Sequence, residues 1–425
     1  MIDLRLLREE PDVVRTAYAR RGEVDGLDHV VELDARRREL LAEVERLRAE
    51  QNRASKAIGQ ASPEERPAAI ERAKELSDRI KEIEPELDRL SNRLEEAAAY
   101  LPNLPHESVP DGHSEEDNVV EREVGERREF DFEALDHVTL GERLGIFDQP
   151  RAAKTSGSRF VYLTGSGVML ELALLRFAMD FVVDRGFTPV VPPVLVRRHA
   201  MYGTGFLPTE EHEFYRSDRD DLFLVGTSEV PLAAMHSEEI LARDDLPLRY
   251  AGFSSCFRRE AGSYGKETKG LVRVHQFDKV EQFSFAHPDD SWDELAAIRA
   301  NQEKILQALD IPYRVLVMCA GDLGAAAAKK VDNEAWLPGA KRYMEVTSAT
   351  NATDYQARRL QIRFRGGDGT QLVHTLNGTA CAIGRMIVAL LENHQREDGS
   401  VSVPEALRPY TGFDEIKPGE HGATH

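Results

Sequence analysis

The chain has 425 residues, 41% hydrophobic and 31% charged, with a formal net charge of -20. That length exceeds one ordinary domain and allows a large core plus an accessory module, while no run of about 18 apolar residues exists to span a membrane. The acidic balance excludes indiscriminate nucleic-acid binding, which rests on Lys and Arg against phosphate; a local basic track could still meet RNA by shape and selected contacts.

The first residues, MIDLRLLREEPDVV, carry early acids and no uninterrupted apolar stretch, so no secretory signal is expected there. Cys256, Cys319 and Cys381 lie far apart with no CxxC spacing. Buried thiols in a reducing cytoplasm are the expectation, with neither a disulfide frame nor a zinc site.

Two heptad-patterned segments follow. Leu40, Val44, Leu47, Gln51, Ala54 and Ile58 alternate spacings of four and three, as do Leu76, Ile80, Ile83, Leu87, Leu90, Leu94, Ala97 and Leu101. That spacing keeps a narrow apolar seam on one side of a helix. Gly59 is the expected stop of the first helix. Ser62-Pro63-Glu64-Glu65 is expected to cap the second, with the proline in its first turn. So short a link predicts an antiparallel hairpin over about 33–101. Pro85 falls off the seam and is expected to kink the second helix. Bases outnumber acids over 34–56, and acids outnumber bases over 64–96, so the first helix is the better candidate to touch phosphates. For most of these charges the plain reading is solvation of an exposed hairpin.

LPNLPHESVP, at 101–110, ends the helical region, and a polar stretch to Glu129 reads as an exposed connection. The expected division is a helical arm over 1–109, a core over 110–417 and a disordered tail over 418–425. Beyond the boundary, short strand-like runs (160–163, 222–225, 314–317, 371–374) alternate irregularly with helical stretches (170–185, 289–309, 380–393). No Walker loop or GxGxxG turn follows a strand, which excludes P-loop and Rossmann nucleotide sites. The predicted class is α+β, with an antiparallel sheet flanked by helices beside the coiled-coil hairpin.

The most informative stretch is 253–283, FSSCFRREAGSYGKETKGLVRVHQFDKVEQF. It reads as a strand, a Gly-containing loop over 262–270 and a returning strand from Leu271. Arg258 and Glu260, two apart, are expected to share a strand face. An Arg fork suits phosphate, a carboxylate can accept from an amino group, and Phe277 can stack on a base. Phe277 and Glu281, four apart, also share a face. Singly these residues have plain readings: a surface ion pair for Arg258 and Glu260, core for Phe277, solvated acids for Glu281 and Glu345, a turn for Asn377-Gly378. His275 and His374 lack a spaced partner set and are expected to pack or hydrogen-bond.

Taken together, the stretch resembles motif 2 of class II aminoacyl-tRNA synthetases, and most closely the bacterial-type seryl-tRNA synthetase family. Gly186-Phe187-Thr188-Pro189 through Pro192-Pro193 resembles motif 1, and Thr375-Leu376-Asn377-Gly378-Thr379 through Gly384-Arg385 resembles motif 3. The hairpin resembles that family's arm, and the likeness runs over about 1–416. It implies a serine–tRNA ligase that uses ATP and Mg2+ to form seryl-adenylate and transfers serine to the 3′ end of tRNA(Ser), and to tRNA(Sec) as well. It further implies a homodimer, a cytoplasmic location and no membrane association.

Carried onto matching positions, the resemblance gives Arg258, Glu345 and Arg385 catalytic roles. The ATP site would draw on Arg258, Arg259, Glu260, Val274, Phe277, Glu345, Val346, Thr347, Ser348 and Arg385, with magnesium at Glu345 and Ser348. The serine site would draw on Thr227, Ser228, Glu229, Arg258, Glu281, Asn377 and Thr379. Family members often carry Ser where this chain has Thr379; either hydroxyl serves. Two rival functions have other requirements. A ligase charging a carrier protein would not need the long arm, and a non-catalytic coiled-coil RNA-binding paralogue would not need Arg258, Glu281, Glu345 and Arg385 intact.

Overall fold

The computed structural model describes residues 1–22, 24–261, 269–367 and 369–419. Residues 262–268 of the expected Gly-containing loop and residues 420–425 of the expected disordered tail lie outside the described residues. Two compact units are present, one of residues 1–19 and 23–102, the other of 20–22 and everything from 103 onward.

In the first unit, helix α1 (Leu27–Gln60) and helix α2 (Arg66–Ala98) form the hairpin. Leu40, Val44 and Leu47 are buried against a seam of Leu76, Ile80, Ile83, Leu90 and Leu94. Toward the tip the seam thins, and Gln51, Ala54 and Ile58 are only half-buried. Gly59 sits within the last turn of α1, one residue before its end. The capping expectation is corrected by one turn. Glu65 does reach back to the Ser62 amide (3.3 Å) and hydroxyl (2.9 Å). The backbone amides of Glu65 and Arg66, however, both donate to the Ser62 carbonyl (3.1 and 3.0 Å). This closes a separate turn, so the helix starts at Arg66 with Pro67 in its first turn.

Helix α2 runs unbroken through Pro85. An interior proline costs about 3 kcal/mol, whereas each fully buried large aliphatic side chain contributes about 1.5–3 kcal/mol. The five buried aliphatics of α2 therefore outweigh it, and Pro85 itself faces solvent. Cross-helix pairs such as Arg48–Glu84 at 2.7 Å and Arg79–Glu43 at 3.6 Å are exposed and contribute at most about 1 kcal/mol each. The seam, not the charges, sets the register.

The second unit is built on an eight-stranded sheet. In chain order its strands are β1 (Val119–Val124), β2 (Thr188–Val190), β3 (Leu248–Phe257), β4 (Gln276–Ala286), β5 (Tyr313–Val317), β6 (Lys329–Leu337), β7 (Arg342–Asn351) and β8 (His374–Ala382). They lie in the order β1-β5-β6-β7-β8-β4-β3-β2, antiparallel except for the parallel pair β2 and β3. Helices α3 (Ser166–Val183), α4 (Ser291–Ala308) and α5 (Ile383–Asn393) share one core with Val280, Val346, Leu376 and Ala380. Because side chains alternate along a strand, that packing leaves the neighbouring residues free to build a site on the other face.

Three expected boundaries move. The returning strand begins at Gln276, because Leu271, Val272 and Val274 turn inward and are buried as apolar walls. The run 371–374 splits at Val373: Gly369–Leu372 pairs with Arg363–Gly366 in a small sheet of its own, and β8 starts at His374. The expected helix from residue 380 begins at Ile383, since Ala382 still pairs with Lys279 in the ladder. Asn377-Gly378 is not a turn but mid-strand. A side chain at Gly378 would put its Cβ 2.3 Å from Ile298 Cγ2, so glycine there lets α4 lie directly on β8.

Candidate active site

Two local irregularities set the site. A register shift in β7 opposite β6 makes Glu334 face Glu345 while Asp332 faces Ser348, so Glu345 and Ser348 share a face despite being three apart. A second shift lies between Val280 and Glu281 opposite β8 and sets Glu281 across from Thr379. Gln302 of α4 donates to the carbonyls of Ser348 (2.7 Å) and Thr379 (3.0 Å), holding the backbone at both places.

On that face, a cavity of about 70 Å³ is lined by Arg258, Phe277, Lys279, Glu345, Thr379 and Arg385, among others. The Arg258 guanidinium lies 5.4 Å from the Phe277 ring centre, within cation–π range, and its Nε donates to the Gly226 carbonyl at 3.3 Å. Arg385 Nη1 bridges the Glu345 carboxylate (3.1 Å) and the Glu345 carbonyl (3.0 Å). Burial opposes the charge on Glu345, but Arg385 and Lys330 outweigh it and hold the carboxyl down at about 2.

Deeper in, Glu281 is 2% exposed. Its Oε2 receives the Lys279 ammonium at 2.7 Å and the Thr379 hydroxyl at 3.1 Å. Two residues along β8, Asn377 lines a second cavity of about 130 Å³ with Glu210, Glu229, Lys330 and Thr350. Burial, reinforced by Glu281, pushes the Glu229 carboxyl up to about 7, although Gln356 donates to it at 2.7 Å. The Thr227 hydroxyl accepts from the Glu229 amide at 3.3 Å and orients the short helix Glu229–Ala234. An amino acid's ammonium and a polar side chain would therefore find carboxylates at two depths, with guanidinium groups at the cavity above.

Profiles of two families match the chain: the tRNA synthetase class II core domain (G, H, P, S and T) over residues 212–394, and the seryl-tRNA synthetase N-terminal domain over residues 1–105. A serine–tRNA ligase of Thermobifida fusca (strain YX) is 53% identical over 420 residues, covering 98% of this chain and 99% of that one. The chain belongs to the seryl-tRNA synthetase family. Another family member, the serine–tRNA ligase of Nocardia farcinica (strain IFM 10152), is 52% identical over 98% of this chain and 100% of its own. Among solved members, the Pyrococcus horikoshii enzyme, crystallised with ATP, superposes with a TM-score of 0.94 at 45% identity, covering 99% of this chain and 100% of that one. The Naegleria fowleri cytoplasmic enzyme, crystallised with AMP, gives 0.89 at 33% identity, with 99% of each chain covered.

Within this family's fold, the structure gathers Arg258, Glu260, Val274, Phe277, Glu345, Val346, Thr379 and Arg385 at the first cavity, and Glu229 and Asn377 at the second. Arg258 and Glu260 do not share a strand face as expected. Strand β3 ends at Phe257, and Glu260 sits in the left-handed region at φ 52°, so strand alternation does not relate them; Glu260 instead pairs with Arg273. Thr227, Glu281 and Ser348 line neither cavity, although Glu281 accepts from Thr379 of the first, and three further expected site residues lie elsewhere. Arg259 is exposed, with its amide donating to the Glu213 carbonyl at 2.8 Å. The Thr347 hydroxyl accepts from Asn333 at 2.9 Å, on the face opposite Ser348. Ser228 is fully buried, 2.8 Å from the Ser254 hydroxyl.

His275 and His374 hydrogen-bond to the Arg258 carbonyl (2.9 Å) and the Ser291 hydroxyl (2.8 Å), as expected. The three cysteines are buried and unbridged. Lys279, Gln302, Lys330 and Gln356 went unread in the sequence. Only the odd–even alternation of β4 could have flagged Lys279, between Phe277 and Glu281; the others act across long chain separations. Among the described residues, no helix is long and apolar enough to cross a membrane.

Proposed function

We propose that this chain activates serine with ATP and transfers it to tRNA(Ser). The observation that carries this reading is the buried Glu281–Thr379 pair, set on the same sheet face as Arg258, Phe277 and Arg385. A site that hydrogen-bonds a substrate hydroxyl can reject the analogue lacking it by about 10⁴ or more, because its own polar groups are left unpaired. Glu281 and Thr379 would read the serine hydroxyl, Thr227 and Glu229 would hold its ammonium, and the narrow site would exclude threonine by size. Bound ammonium would keep Glu229 ionised.

Phe277 and Arg385 would sandwich the adenine, Glu260 and the backbone near Val274 would meet its edge, and Arg258 would bridge the α-phosphate and the serine carboxylate. That carboxylate oxygen forms a bond to the α-phosphorus as the bond to the β-phosphate oxygen breaks, giving seryl-adenylate and pyrophosphate. The terminal tRNA hydroxyl then attacks the adenylate carbonyl and AMP leaves. Positioning and Arg donors lower the first barrier without a side-chain base. Glu345 and Ser348 present a carboxylate and a hydroxyl on one face, an all-oxygen set suited to magnesium held jointly with phosphates. Bound there, the ion would neutralise phosphate charge.

The arm (1–109) would grip tRNA by shape and backbone, beside a catalytic domain of 110–417. Arg38 and Lys56 of α1 make no ion pair among the described residues and are the first candidates for phosphate contact. Shape-based recognition would extend to tRNA(Sec). A homodimer would cover the apolar side chains that α3 exposes, Met169 at 43% and Leu172 at 53%, with Val191 at 80%. Unbridged thiols fit a cytoplasmic location.

The test is amino-acid-dependent exchange of pyrophosphate into ATP, with alanine, threonine and glycine as controls. Exchange with serine alone is expected. No exchange with any of them, in folded protein with magnesium, would overturn the reading.

A further inference from the structure

Residues 209–213 read Thr-Glu-Glu-His-Glu, and their carboxylates have different fates. Glu211 pairs with Arg198 at 2.6 Å. Glu213 accepts from the Ala261 amide at 3.2 Å. Glu210 instead turns inward and lines the cavity of about 130 Å³ with Glu229 and Asn377. It is half-buried, and its carboxylate has no hydrogen-bond or ion-pair partner among the described residues. The loop that carries it is fixed. Its amide donates to the Phe206 carbonyl (2.8 Å) and its carbonyl accepts from the Glu213 amide (2.9 Å). Upstream, Arg359 Nη1 donates to the Tyr202 and Leu207 carbonyls (2.8 and 3.1 Å).

The electrostatics show what such an acid lacks. Burial raises the Glu210 carboxyl above its ordinary range, with Arg258 opposing. Burial and Glu281 raise the Glu229 carboxyl, and Glu210 adds to that rise. Lys330, the cation lining this cavity, is already paired with Asp332 at 3.2 Å. Two acids therefore face one small space without a cation of their own. An ammonium carries three N–H donors, and Thr227 and Glu229 offer the serine ammonium two acceptors. Glu210 offers a third. Its charge is felt by both Glu229 and Arg258, so it lies where the ammonium and the carboxylate of one amino acid adjoin.

We propose that Glu210 is a serine-binding residue, accepting a hydrogen bond from the α-ammonium together with Glu229. This rests on the serine reading of the site. The ammonium keeps its charge from free serine through to the adenylate, so Glu210 holds substrate and transition state alike. Such uniform binding lowers KM and leaves kcat unchanged. A counter-ion of Arg258 would behave differently, because its loss would disturb the α-phosphate contact and with it kcat and the KM for ATP.

The experiment is equilibrium dialysis of labelled serine against the full chain, followed by pyrophosphate exchange. It compares wild type with Glu210→Gln and with Asp218→Asn, an exposed acid eight residues on. Glycerate, which has a hydroxyl in place of the ammonium, serves as a competitor. In Glu210→Gln, serine affinity should fall and the KM for serine should rise, each about tenfold, as one hydrogen bond loses its charge. The values of kcat, KM for ATP and glycerate inhibition should not change. Asp218→Asn should match wild type, with thermal melts confirming that both variants fold. Unchanged serine affinity in Glu210→Gln, or an equal fall in Asp218→Asn, would overturn the proposal. So would a fall in kcat, or an equal weakening of glycerate, either of which would assign Glu210 to Arg258 or to the loop's structure. Wild-type protein that binds serine without exchange would refute the activation reading alone, and the affinities would still decide Glu210. Wild-type protein that binds no serine would overturn both.

Discussion

Replacing Glu281 with Gln tests the core of the serine reading. The carboxylate is 2% exposed and holds both Lys279 (2.7 Å) and Thr379 (3.1 Å), so Glu281→Gln keeps its volume and removes its charge. A hydrogen bond to a charged group contributes about 1.5–3 kcal/mol. At about 1.4 kcal/mol per decade, kcat/KM for serine should drop about 10- to 150-fold. Alanine has no hydroxyl to lose, so alanine-dependent exchange should hold and the serine-to-alanine ratio should collapse by the same factor. Stability should fall as well, because Lys279 is left buried without its carboxylate, a loss of up to about 3–5 kcal/mol. The double variant Lys279→Met/Glu281→Gln separates the two effects, regaining most of the stability while staying poor with serine. Pyrophosphate exchange with both amino acids, beside thermal unfolding, reads all of this. Serine and alanine activities falling by one common factor, or serine activity returning in the double variant, would show Glu281 to be a structural partner of Lys279 only.

Three further outcomes are expected. Glu229 has its folded pKa raised from 4.5 to about 7, so wild-type stability falls as pH rises between those values and is level above them. Glu229→Gln should then gain about 3 kcal/mol at pH 8 without serine and almost nothing at pH 4; equal gains in urea unfolding at both would remove the proton linkage. Deleting 34–96 should spare serine-dependent exchange and abolish tRNA charging, and charging that survives the deletion would take tRNA gripping away from the hairpin. Leu172→Glu puts a charge on the exposed apolar face of α3; sedimentation should show a dimer becoming a monomer, and an unchanged mass would place the interface elsewhere.

The hairpin was legible because a coiled-coil seam is a local pattern. Leu76, Ile80, Ile83, Leu90 and Leu94 announce their burial by spacing alone, and burial is what holds the two helices together. Pro85 shows the limit of local rules, since helix breaking is a local cost and the seam is a collective gain. In the catalytic unit, residue types and motif order alone point to Arg258, Phe277, Glu281, Glu345 and Arg385. Arg258 and Glu260 do not share a strand face, because a strand end and a positive φ are not visible in residue spacing.

Composition and periodicity by themselves determined a long helical hairpin ahead of a mixed α+β core, without a P-loop or Rossmann nucleotide turn. The motifs named the side chains that carry the chemistry. Only the tertiary structure decided which of them meet. The register shifts opposite Glu345 and Glu281, clamped by Gln302, turn those carboxylates onto one face with Thr379 and Arg385. Lys279 then becomes the partner of Glu281 and Arg385 that of Glu345, while Gln356 donates to Glu229. A register shift is a property of two strands pairing, and a buried carboxylate's partner is set by packing across the sheet, so neither is written in any single stretch of the chain.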